Sequence, residues 1–218
     1  MNPIPIIYQN DEIYIINKPS GLAVQGGQGV THSLDVEFSK QTGDKVFLVH
    51  RLDKDTCGLM IVAKSPAAAS KWTKLIACKD VNKEYIAICI GIISPSSGTI
   101  KESVIQHGVE KKAVTKYQVE KSWNFDYESQ DCSEKKSLEM SQIRLMLDTG
   151  RMHQIRIHLA KEGCPIAGDD QHGNFKLNKI LKKQFKIKNL LLASVKLTLP
   201  MDGKIKVFEI PLPDYMTF

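Results

Sequence analysis

A chain of 218 residues with 42% hydrophobic and 25% charged side chains carries enough apolar material for one large core or two small lobes, which excludes a disordered chain. No apolar run reaches the length of a membrane span, and the start, Met1-Asn2-Pro3-Ile4-Pro5, lacks the basic-then-apolar pattern of a secretory signal, so a cytoplasmic protein is expected. Lys and Arg outnumber Asp and Glu by 30 to 24, a net charge of +6 that favours a polyanionic partner without identifying one.

The first predicted element is a hairpin, Ile6 to Tyr8 and Ile13 to Ile16 around Gln9-Asn10-Asp11-Glu12, ended by Lys18-Pro19-Ser20-Gly21. A loop with Gly26, Gly27 and Gly29 follows, without the spacing of either nucleotide-binding fingerprint. Ser33 caps a short predicted helix through about Ser39. Two apolar runs, Val46 to Val49 and Leu59 to Ala63, then read as short buried strands around a charged turn, His50-Arg51-Leu52-Asp53-Lys54-Asp55-Thr56-Cys57-Gly58. A turn between buried strands is where a rigid scaffold presents a side chain. A solvated turn fits this stretch equally well. In an extended segment Arg51 and Asp53, two apart, share a face.

Ser65-Pro66 starts a helix with Ala68, Trp72, Leu75 and Ile76 on one face, and Val81 to Gly91 is a strand rich in β-branched residues. Past a turn at Ser94-Pro95-Ser96-Ser97-Gly98, two more strands are predicted, about Ala113 to Glu120 and Leu138 to Leu147, bridged by a polar insert, 124–136, that reads as a mobile loop. Asp148-Thr149-Gly150 then introduces a helical pattern from Arg151 to Ala160, stopped by Gly163 and Pro165. Arg151 and His153 in the first turn of such a helix suit an anion, and Arg156, one turn on, reaches for a carboxylate. Leu190 to Leu199 and Ile205 to Ile210 form a closing hairpin with Asp202-Gly203 at its turn. Between Gln171 and Met201 there is no acidic residue, while Lys176, Lys179, Lys182, Lys183, Lys186, Lys188 and Lys196 accumulate. A solvated helix face would explain such a run, but lysines of one sign repel unless an anion lies nearby, which favours nucleic acid.

The five cysteines are scattered with no Cys-x-x-Cys pair, and His153 and His158 miss the i, i+4 spacing of paired ligands, so neither a disulfide framework nor a metal site is expected.

Three segments together resemble the active-site motifs of the RluA-type RNA pseudouridine synthases. They are His50 to Gly58, Lys83-Glu84-Tyr85-Ile86-Ala87, and Thr149-Gly150-Arg151-Met152-His153-Gln154-Ile155-Arg156-Ile157-His158-Leu159. Asn17 to Val24 and Cys164 to Asp170 match the same pattern, so the resemblance spans about the whole chain in order. Three positions depart from it: Cys57 where Ser is usual, His172 where Tyr is usual, and Leu192 where His is common.

The resemblance implies an α+β fold, with a long, mixed, mostly antiparallel sheet flanked by helices and a catalytic cleft across its middle. It implies one catalytic domain over 1–218, without the N-terminal RNA-binding domain of many relatives, acting as a monomer. It also implies a redox-neutral isomerisation of uridine in structured RNA that needs no metal or cofactor. Ribosomal RNA is the first expectation and transfer RNA the second. In this reading Asp53 is the carboxylate that captures or stabilises the electron-poor sugar, much as in glycosidases. Arg156 keeps Asp53 ionised, and Tyr85 stacks on the uracil and handles a proton. Arg51 fills the gap left by an extruded base. His50, Arg151, His153, Lys179, Lys182 and Lys183 complete the RNA-binding set. Two other classes remain, a non-catalytic RNA-binding protein and a hydrolase using Asp53 with His50 or His153. The intact Asp53, Tyr85 and Arg156 argue against the former, and the lack of a second well-placed carboxylate against the latter.

Overall fold

The opening hairpin forms where the sequence predicts it. In the computed structural model, which describes residues 2–27, 29–106, 108–128 and 135–218, β1 (Ile6–Gln9) pairs antiparallel with β2 (Ile13–Lys18). The Asn10 side chain holds the turn, its Oδ1 accepting from the N–H groups of Glu12 and Ile13 at 3.0 and 2.8 Å. Helix α1 (Leu34–Thr42) runs past the predicted Ser39 and ends at Gly43, in the left-handed region at φ 79°. Strands β3 (Phe47–Leu48) and β4 (Cys57–Ala63) pair antiparallel, and every residue of β4 is buried, as its unbroken apolar run requires. Helix α2 (Pro66–Ala77) starts at Ser65, whose Oγ accepts from the Ala68 N–H at 3.1 Å. Strand β5 (Asn82–Ile90) comes next, then three short strands that the sequence pattern does not predict, β6 (Ser97–Ile100), whose first two residues fall in the expected turn, β7 (Val104–Gln106) and β8 (Val109–Lys111). The chain continues through β9 (Thr115–Glu128), β10 (Lys135–Leu147), α3 (Gln154–Lys161), α4 (Phe175–Phe185), β11 (Leu192–Met201) and β12 (Lys204–Glu209).

Three elements differ from expectation. Residues 124–128 and 135–136 of the predicted polar loop continue β9 and β10, and the rest of that loop lies outside the described residues. Trp123 and Phe125, two apart on β9, both meet Phe218, Trp123 stacked at 5.9 Å and Phe125 edge-on at 5.5 Å, and Phe125 meets Phe185 at 4.5 Å. That aromatic face holds the strand while polar residues alternate with it. Helix α3 begins at Gln154 rather than Arg151, because His153 sits at φ 53° and the helix cannot extend back through it. The lysine run, given no element of its own, contains α4, opened by Asn174 accepting from the Leu177 N–H at 3.1 Å and closed by Lys186 at φ 61°.

The chain forms two compact units, Met1–Lys83 with Ala193–Pro211, and Glu84–Leu192 with Leu212–Phe218. In the first, the strand order is β1-β2-β4-β11, with β12 on β11 and β3 on β4. All pairs there are antiparallel except β4 with β11. Ile13, Ile15, Leu59, Ile61, Leu197 and Leu199 bury one face against Trp72 of α2. Tyr14, on the alternate face of β2, packs edge-on against Phe38 of α1 at 5.1 Å. In the second unit β5-β10-β9-β6 is antiparallel throughout, and α3 buries Ile155 and Leu159. The fold class is thus the expected α+β with a mostly antiparallel sheet. Among the described residues no helix is long and apolar enough to cross a membrane.

Candidate active site

The stretch around Asp53 connects β3 to β4, and its backbone carbonyls are held by several hydrogen bonds. Leu52 is buried as an anchor, which leaves Arg51 exposed and Asp53 half-buried on either side of it. The Thr56 N–H donates to Asp53 O at 3.2 Å, Gly21 N–H to Lys54 O at 3.0 Å, and Ser20 Oγ to Asp55 O at 2.8 Å. Lys18, fully buried at the end of β2, points its ammonium at three carbonyls, Lys54 and Leu22 at 2.8 Å and Pro19 at 2.9 Å. These three acceptors saturate its three donors and tie the Asp53 turn to the turn after β2. Burial pulls the Lys18 amine down to about 8, against the opposing pull of Cys57, Asp55 and Asp53. No role for Lys18 was read from the sequence. The only signal for it was the lysine in Asn17-Lys18-Pro19, where a charged residue ends an otherwise apolar strand.

Two further residues of the segment serve the framework. His50 Nε2 accepts the Ile61 N–H at 3.0 Å, so the ring proton resides on Nδ1. Burial, aided by the Lys83 charge, pushes its pKa down to about 3, so His50 is a neutral imidazole at physiological pH and brings no positive charge to a phosphate. Gly58, the second residue of β4, adopts φ 109°, where a Cβ would lie 2.1 Å from the Ser194 carbonyl oxygen. Only glycine lets β11 approach this closely beside the turn. Cys57, which departs from the usual Ser, is buried next to it.

The other candidate residues belong to the second unit. Tyr85 lies on β5 opposite Leu145 of β10, 5% exposed, while its neighbour Glu84 is held by Arg144 Nη1 at 3.0 Å. Arg156 projects from α3, 2% exposed, and grips Asp169 with a fork, Nε to Oδ2 at 2.8 Å and Nη2 to Oδ1 at 2.7 Å. Asp169 Oδ1 also accepts the N–H groups of Gln171 and His172, both at 2.9 Å. Burial pushes the Asp169 carboxyl up, but Arg156 and these two N–H groups outweigh it and hold the pKa below the usual carboxylate range. Asp169 was matched in the sequence only as part of Cys164 to Asp170, with no role assigned. Its buried fork with Arg156 joins α3 to the loop before α4.

Arg151 and His153 fall outside the first turn of α3, where the sequence reading put them. His153 Nδ1 lies 2.9 Å from Nε2 of His172, so the departure from Tyr at position 172 is used in a side-chain contact. Arg151 is exposed, with Nε donating to Lys112 O at 3.3 Å. The residue that fixes this end of the helix is Gln154. Its Oε1 accepts from Thr149 Oγ1 at 2.7 Å and from the Arg151 N–H at 3.1 Å. Its Nε2 donates to Val114 O and Thr115 Oγ1 at 3.0 and 2.9 Å. Lys179, Lys182 and Lys183 are exposed on α4, and none of them is in an ion pair among the described residues. Their spacing places them on one side of the helix, away from buried Leu181. Leu192, the third departure, is buried at the start of β11.

The candidate set is therefore divided, with His50, Arg51 and Asp53 in the first unit and Tyr85, Arg151, His153, Arg156 and the α4 lysines in the second. A family model described as RNA pseudouridylate synthase matches residues 12–161. Ribosomal large subunit pseudouridine synthase C of Rickettsia prowazekii is 34% identical over 226 residues, covering 97% of this chain and 69% of the relative. Ribosomal large subunit pseudouridine synthase D of Haemophilus influenzae is 30% identical over 237 residues, covering 97% and 68%. Among solved structures, human RNA pseudouridylate synthase domain containing 4 superposes with a TM-score of 0.75 at 27% identity, covering 97% of this chain and 90% of that one.

Proposed function

Because this chain belongs to the RNA pseudouridylate synthase family, and is thus an isomerase, we propose that it converts uridine to pseudouridine in large-subunit ribosomal RNA with Asp53 as the reacting carboxylate. The ribosomal target is taken from what the relatives are named for, and transfer RNA is the alternative. The reaction breaks the N1–C1′ bond, turns the uracil and rejoins it through C5, with the C5 proton lost and N1 protonated. No electrons are gained or lost overall. Asp53 captures or stabilises the electron-poor C1′ while the uracil is detached. Tyr85 stacks on the base and handles a proton. Arg156 is the cation that keeps Asp53 ionised, a pairing carried over from the family resemblance. Arg51 takes the place of the extruded nucleotide, and Arg151, His153, Lys179, Lys182 and Lys183 bind RNA. Residues 1–218 act as one catalytic domain.

The observation that carries this reading is the way the Asp53 turn is built. A solvated turn has no need of a fully buried lysine spent on three carbonyls beside it, whereas a carboxylate that must meet a sugar carbon in one geometry does. Mapping pseudouridines in the RNA of cells with and without the protein gives activity and target together. Sites that vanish from large-subunit RNA support the proposal, sites that vanish only from transfer RNA move the target, and an unchanged map overturns it. Arg156→Ala is expected to lose most of the activity while Arg156→Lys keeps part of it. Equal activity of both variants and the wild type contradicts the assigned role of Arg156.

A further inference from the structure

Asp169 holds the Arg156 fork, and something must in turn hold Asp169. Its carboxylate sits on a loop whose backbone is set by glycines and by one side chain from α4. Gly168 adopts φ 77°, and a Cβ there would stand 2.0 Å from the Asn189 carbonyl oxygen. Gly173 has no room either, since a Cβ would lie 2.2 Å from Asp169 O and 2.9 Å from Asn178 Nδ2. Into this confined loop α4 inserts the Asn178 amide. Oδ1 accepts the Gly168 N–H at 3.0 Å and Nδ2 donates to Asp169 O at 2.8 Å. The amide thus satisfies a donor on one side of the loop backbone and an acceptor on the other, as a neighbouring strand would. A side chain without both functions leaves at least one of these partly buried groups without its partner.

We propose that Asn178 is a positioning residue for the reaction: its amide fixes the Gly168-Asp169 backbone, which sets the Asp169 carboxylate, which sets the guanidinium plane of Arg156. The chain of contacts is short and each link is a direct hydrogen bond, 2.8 and 3.0 Å at the amide and 2.7 and 2.8 Å at the fork. It also gives α4 a second function. The helix whose exposed lysines are proposed to meet phosphate carries, one residue before Lys179, the side chain that orders the partner of Arg156. The proposal rests on the reading of Arg156 as part of the catalytic set. A fork displaced by a fraction of an ångström weakens what Arg156 does in the transition state more than it weakens RNA binding.

The test is a double-mutant cycle on single-turnover conversion of a large-subunit RNA fragment at saturating protein, with RNA affinity and thermal midpoint measured in parallel. Asn178→Ala is expected to slow the single-turnover rate about tenfold with full product amplitude and affinity within about twofold of wild type. Asn178→Asp, which keeps the acceptor for Gly168 but loses the donor to Asp169, should be slowed as well, and Asn178→Gln should recover part of the rate. In the Arg156→Lys background, where no fork exists to be aligned, Asn178→Ala should cost little further rate. If the two costs multiply, Asn178 does not act through Arg156 and the proposal fails. A normal rate with reduced amplitude would show a merely structural residue and also overturns it. Should Arg156→Ala itself prove fully active, the reading of Arg156 fails, and this is distinguishable from Asn178→Ala being normal while Arg156→Ala is dead.

Discussion

Lys18 is a buried charge whose ammonium serves three carbonyls, of which, among the described residues, only Lys54 O has a second donor, the Gly21 N–H, and its replacement should be correspondingly costly. Lys18→Met preserves much of the volume and removes all three donors, so a loss of about 3 kcal/mol or more is expected in urea unfolding. Pseudouridine formation should fall further than stability explains, since the Lys54 carbonyl is part of the Asp53 turn. A variant with wild-type stability and turnover would show that the strut is dispensable. His50 makes a different prediction. Its folded-state pKa of about 3 lies below the ordinary value of 6.5, so between those values the unfolded chain binds the additional proton. Stability from this group is present above about pH 6.5 and is lost as pH falls toward 3. His158, pushed down by burial, adds in the same direction. Urea midpoints should therefore drop from pH 7 to pH 5, and His50→Gln, which can still accept the Ile61 N–H but does not titrate, should show a shallower drop. An identical slope in the variant would contradict the neutral, accepting imidazole. None of this was legible beforehand. A sequence shows that Lys18 and His50 are charged or titratable, but not which carbonyls and N–H groups converge on them.

At the scale of elements, α4 carries the strongest functional prediction. Lys179, Lys182 and Lys183 project together from a helix anchored by Leu181, so reversing all three to Glu should weaken binding to many RNAs alike. The slope of log affinity against log salt should become shallower by roughly 2 to 3, one phosphate contact for each lysine. Unchanged salt dependence would move the phosphate track elsewhere, to Arg151 and its surroundings. Catalysis at saturating RNA should survive, because none of the three touches the uridine in the proposed mechanism. The lysines were legible in the sequence as a one-sign run, whereas their helix was not, because only Leu177, Ile180, Leu181 and Phe185 supply its apolar side among so many charges. The start of α3 departs from the sequence pattern for a similar reason. The pattern from Arg151 onward is helical in period, and the left-handed His153 is set by Gln154 reaching β9, a tertiary contact with no local signature. Continuous apolar stretches, such as Leu59 to Ala63 of β4 and Ile13 to Ile16 of β2, are legible because their burial follows from composition alone.

For the whole molecule, the resemblance of widely separated segments carried more information than any local pattern. Asp53, Tyr85 and Arg156 stand far apart in the chain, and periodicity alone does not single them out or give the strand order within either unit. What the sequence left out is the support behind them, namely Lys18 under the Asp53 turn, Gly58 against Ser194, and Asp169 with Asn178 behind Arg156. Such groups are polar or small, so they resemble ordinary surface and turn residues until their partners are located. The net charge of +6 fits a polyanionic substrate but does not select a reaction, and the proposed reaction rests on one carboxylate, Asp53. The most direct measurement is therefore pseudouridine formation in large-subunit ribosomal RNA by purified wild type and Asp53→Asn, with RNA affinity and unfolding recorded for both. The substitution is isosteric and removes the nucleophilic oxygen and its charge. The account predicts product at background with affinity and stability near wild type, and conversion by Asp53→Asn at a rate near wild type would contradict it.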